Sequence, residues 1–200
     1  MSVTDFVGVV MAIRDIFTGV AAVVAAGVAV AGLKTWKRQL HGNAEYDLAR
    51  RLLRVTYKLR EAINFVRVPF IPAGEMDKAL EDTGLKDASV TEREKRVQEL
   101  VYQARWKPVA QARIEFDAEL LEAEALWGPE MQRLGLAIKQ CMGELVAALQ
   151  RYLSHRMPDD PELFNAIDNI VFGTEDDEYT KKLQGAIAAI ENSLRPHLKL

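Results

Sequence analysis

The longest apolar stretch of the chain, Ile16 to Leu33, runs 18 residues without a charge. Wound as a helix at about 1.5 Å per residue it covers about 27 Å, close to the roughly 30 Å hydrocarbon core of a bilayer. A second apolar patch, Phe6 to Ile13, precedes it and is set apart by Arg14 and Asp15. The pattern predicts a membrane-spanning helix entered from the N-terminal side. Two other readings fit less well. A core helix without a polar face must be buried on every side. A cleaved secretory signal starts with positive charge, whereas here Asp5 and Asp15 stand against Arg14 alone, although Ala29-Val30-Ala31 resembles a cleavage site.

Beyond Gly42 the spacing changes to that of amphipathic helices. From Asn43, an N-cap residue type, Leu48, Leu52, Val55, Leu59, Ile63 and Val66 recur at intervals of three and four until Pro69 and Pro72 intervene. A short polar helix is expected within Glu75 to Asp87. Thr91 with Glu94 has the capping-box spacing, and the stripe Val97, Leu100, Val101, Ala104, Ala112, Phe116, Leu120, Ala123 and Trp127 follows. Pro108 predicts a kink or break in it. Pro129 opens the next helix, with Leu134, Ile138, Cys141, Leu145, Leu149 and Leu153 inward. A short helix over Pro161 to Phe172 and a final one ending at Leu194, before Pro196, complete the chain. The expected fold is all-α: a single N-terminal transmembrane helix (1–33), a basic juxtamembrane connector (34–42) with Gly42 as hinge, and an antiparallel helical bundle (43–200).

Composition narrows the chemistry. A lone cysteine, Cys141, among 200 residues excludes an intramolecular disulfide framework, and its place on an apolar stripe predicts inert packing. A formal charge of −3 argues against nucleic acid as a partner. The charge is unevenly spread: Lys34 to Arg67 holds nine basic and three acidic residues, whereas Asp159 to Glu178 holds eight acids and no base. Lys34, Lys37 and Arg38 directly follow the apolar run, with Trp36 at interfacial depth, so the positive-inside rule places the C-terminal body in the cytoplasm and the N-terminus outside the inner membrane. Arg50, Arg54 and Lys58 share a helix face suited to anionic lipid or to an acidic partner; pairing with the acidic block is the competing and preferred expectation.

Within the apolar run, Ala21, Ala25 and Ala29 fall on one face beside Ala22 and Gly32, a small-residue surface of the kind that admits a second helix, and so a candidate site of homo-oligomer formation. Glu115, Glu119 and Glu122 also share a face, read as solvated because no Glu-x-x-His step accompanies them. His41, His155 and His197 are scattered, and no phosphate loop, dinucleotide fingerprint or nucleophile elbow occurs, so no catalytic, cofactor or metal residue is assigned. The functional expectation is a membrane-anchored interaction, scaffold or signalling protein that is not an enzyme, with the lipid bilayer and a protein of unknown identity as partners. The alternatives are an oligomerising, membrane-perturbing effector and a small helical enzyme tethered to lipid.

Overall fold

The computed structural model describes residues 3–83, 89–154, 160–174 and 176–198; the side chains of 3–23, 38, 41, 82 and 83 lie outside that description. The elements are α1 (Val3–Val66), α2 (Ala73–Thr83), α3 (Val90–Trp127), α4 (Glu130–Leu153), α5 (Pro161–Val171), α6 (Glu178–Leu194) and a closing 3-10 turn (Arg195–Leu198). No strand occurs among the described residues. The protein is an all-α helical bundle, and its chain divides into two compact units, Met1–Glu45 and Tyr46–Leu200.

In the first unit, the expected connector 34–42 is helical, and α1 runs through Gly42 without a break. A helical glycine costs only about 1 kcal/mol relative to alanine, too little to stop a helix among good formers such as Gln39, Leu40, Ala44 and Glu45. Residues 24–37 are exposed throughout. Among the described residues no helix is long and apolar enough to cross a membrane. The side chains of 16–23, the first part of the uncharged run, lie outside the described residues, as do those of Ala21 and Ala22.

The second unit closes around one main core. All six stripe residues of α1, Leu48, Leu52, Val55, Leu59, Ile63 and Val66, are buried in it. Opposite them lie Val109, Ala112, Phe116, Leu120 and Ala123 of α3, with Ile138, Cys141, Leu145 and Leu149 of α4 and Leu183, Ile187, Ile190 and Leu194 of α6. Gly135 meets Leu120 and Lys139 meets Asp117, while Glu144 meets Lys182 and Met131 meets Ser193, so α3, α4 and α6 alternate in direction. Gly135 is needed where α4 crosses α3, because an added methyl would overlap the Leu120 side chain. A smaller cluster, Ala79 of α2 with Val97 and Val101 of α3, stands apart from the main core.

Helix starts follow local capping chemistry. The α3 capping box is Ser89 with Glu92, not Thr91 with Glu94: the Glu92 N–H donates to Ser89 Oγ at 3.3 Å, and the Ser89 N–H donates to Glu92 Oε2 at 3.2 Å. Val90 and Thr91 are already helical there, so Thr91 is past the cap position. Asp160 caps α5 ahead of Pro161, and Asp177 caps α6. Pro129 sits one place before α4 rather than inside its first turn. α3 continues through Pro108 without a break.

Candidate functional site

The residues singled out in the sequence separate into three groups. Ala25, Ala29 and Gly32 are exposed, and a Cβ added at Gly32 meets nothing within 4 Å. Lys34 and Lys37 are exposed, and the Arg38 side chain is outside the described residues. Arg50 and Arg54 are exposed on the bundle's first helix, but Lys58 is paired.

The pairing runs along a seam between α1 and α3. Lys58 Nζ lies 2.7 Å from Glu115 Oε2; Arg51 reaches Glu119 at 2.9 Å and Glu122 at 2.7 Å. The three glutamates expected to form a solvated face therefore receive the cations of the neighbouring helix. The hydrogen bond from Lys58, helped by one from Gln111, holds the Glu115 carboxyl below its ordinary pKa, and the bond to Glu119 raises that of Arg51. Among the described residues, the acidic block 159–178 meets the basic stretch by a different route, Asp177 to Arg67.

That contact is a buried polar centre. Arg67 is 4% and Asp177 6% exposed. The guanidinium donates from Nε to the Ile170 carbonyl (2.8 Å), from Nη1 to Thr180 Oγ1 (2.7 Å), and from Nη2 to the Asn169 carbonyl and Asp177 Oδ2 (both 2.9 Å). It also lies 4.4 Å from the centre of the Tyr179 ring. Asp177 further accepts the Thr180 N–H at 2.7 Å and the Thr174 N–H at 2.8 Å. Burial pushes the Asp177 pKa up, but the bonds from Thr180, Arg67 and Thr174 outweigh it and leave the carboxyl below its usual range. Gly173 completes the centre: a Cβ there would stand 2.5 Å from the Arg67 guanidinium carbon, which its bonds hold in place. Burial raises the pKa of Tyr179, whose hydroxyl donates to the Cys141 carbonyl at 2.9 Å.

A second buried arginine, Arg105 of α3, is 2% exposed. It donates from Nε to Glu75 Oε2, from Nη1 to the Val68 carbonyl and from Nη2 to the Phe70 carbonyl, all at 2.7 Å. The turn between α1 and α2 is thus folded around this side chain. Neither centre emerges from motif reasoning, although Arg105 carries a signal in its spacing: it stands four residues after Val101 and four before Val109, an arginine on a buried stripe.

Among the described residues, grooves indent the second unit. One of about 660 Å³ between α2 and the start of α3 is mainly apolar, with Ile71, Met76, Leu80, Val90 and Val97 among its lining. One of about 850 Å³ against α4, α5 and α6 gathers Glu144, Glu162, Asp176 and Glu178, with Lys182 paired to Glu144. A third, of about 390 Å³, adjoins Arg105 and Glu75. Among the described residues no three His, Cys, Asp or Glu side chains are grouped to hold a metal ion. Cys141 is buried, and burial raises its thiol pKa. His197 stacks on Trp127 with 4.3 Å between ring centres, and His41 and His155 lie outside the described side chains. The two buried arginines therefore serve carboxylates, main-chain carbonyls and one hydroxyl. Compared with protein families, with curated proteins and with solved structures, the chain matches none.

Proposed function

We propose that the protein is a single-pass membrane-anchored helical module, its bundle acting in protein interaction, scaffolding or signalling without catalysis of its own. The observation that carries this reading is the state of the uncharged run. Every residue of it whose side chain is described, 24–33, is exposed, with Val28 at 68%, and these apolar side chains lie all round the helix. Such a surface has no polar side to turn to water. Moving each large aliphatic side chain into hydrocarbon gains about 1.5–3 kcal/mol. The ten residues 24–33 cover about 15 Å of helix, half of a bilayer core, and the sequence extends the same character back to Ile16.

Lys34 and Lys37 then mark the cytoplasmic side of the inner membrane, with the N-terminus outside. The exposed Ala25, Ala29 and Gly32 are open to a helix of a second copy. Exposed Ile114, Leu121 and Leu136 on the bundle are surface on which a partner protein would dock. Fractionation tests the anchor. Full-length protein stays with membranes through high-salt and alkaline washes, and a chain beginning at Asn43 is soluble and helical. Release of the full-length chain by alkali alone rejects the anchor. Identification of what co-purifies from membranes then tests the interaction role.

A further inference from the structure

α2 is held to the rest of the bundle by a set of contacts of its own. Among the described residues the main core draws side chains from α1, α3, α4, α5 and α6, and none from α2. The helix packs on α3 through Ala79, against Val97 and Val101, with Ile71 and Leu100 partly buried beside them. That cluster is small beside the main core, and a polar contact next to it adds to the attachment. That contact is Glu75, the only α2 side chain bonded to Arg105 among the described contacts.

The bonds of Arg105 differ in how readily each can be given up. Val68 and Phe70 offer main-chain carbonyls in the turn, which is packed around the guanidinium. The Glu75 carboxylate is 30% exposed and already in touch with solvent, so water can replace Arg105 as its partner. We propose that α2 is a flap: it lifts from α3 about the turn at Pro72, releasing Glu75 from Arg105, while Arg105 keeps the turn in place and the main bundle stays closed. Opening bares the faces of Val97 and Val101 that Ala79 now covers and widens the apolar groove that both residues already line with Met76 and Leu80.

The chain's one cysteine makes the test direct. Cys141 is buried in the main core and reports opening of the whole bundle. In the full-length protein carrying Val101→Cys, a thiol reagent under native conditions should modify position 101 at least about tenfold faster than Cys141, the ratio expected when one charged hydrogen bond rather than a whole core has to be broken. Adding Glu75→Gln should raise the rate at 101 several-fold and leave that of Cys141 unchanged. Ala79→Cys, on the flap side of the cluster, reports the same opening should Val101→Cys impair folding. Equal rates at the two cysteines overturn the flap. So does acceleration of both together by Glu75→Gln, or no acceleration at position 101.

Discussion

Arg67 and Arg105 both bury a guanidinium group, and both bond two main-chain carbonyls and one carboxylate, yet their carboxylates differ: Asp177 is 6% exposed and Glu75 30%. Asp177 is also the N-cap of α6 and accepts two backbone N–H groups, so it cannot leave without uncapping a helix of the main core. Glu75 belongs to a helix outside that core. The same residue type thus makes a fixed joint at one site and a detachable one at the other, and the partner's burial and other obligations decide which.

The largest effect should come from breaking the fixed joint. Arg67→Met leaves Asp177 buried without its cation and should cost about 3–5 kcal/mol, the range for removing one partner of a buried pair, read as a lower denaturation midpoint of the whole bundle. A loss under about 1 kcal/mol would place Arg67 with ordinary surface pairs and erase the contrast.

Acid sharpens the comparison. The folded pKa of Asp177 lies below the unfolded value of about 3.9, so as pH falls the unfolded chain takes up the proton first and stability drops. The contribution should be complete above about pH 5 and drain away as pH passes down through the folded value. Denaturation at a series of pH values should show this slope in the native protein and a shallower one in Asp177→Asn; equal slopes would mean that other carboxyls carry the acid response.

The smallest effect belongs to the seam between α1 and α3. Its side chains are partly exposed, Lys58 at 54%, so Lys58→Ala should cost about 0–1 kcal/mol and the loss should shrink further in high salt. A cost near that of Arg67→Met would show that the seam acts as a network rather than as single pairs.

Periodicity made the six buried residues of α1 legible, since spacings of three and four select one helix face whatever lies opposite. The start of α5 and the end of α6 were legible from prolines, Pro161 opening the one and Pro196 following the other. The α3 start was harder: Ser89/Glu92 and Thr91/Glu94 both have capping spacing, and only the backbone shows which serves as the cap. Charge pairing was least legible. Whether Lys58 meets Glu115 or the 159–178 block depends on the rotation of α1 against α3, a property that no separation along the chain encodes. The buried arginines escaped because charge alone suggests a surface position, and it takes a ring of carbonyls from other segments to make burial tolerable.

Pro108 has a mechanical consequence. It lacks an N–H, so the carbonyl of Ala104 loses its helical partner at this turn, and both residues are exposed where water can take that place. The interruption falls between Val97 and Val101, which carry α2, and Val109 to Ala123 of the main core, while Tyr102 reaches that core from the near side. α3 is therefore a beam of two stiff spans joined at a soft turn. A bend at that turn can change the angle between the two spans only as far as Tyr102, anchored in the main core ahead of it, allows.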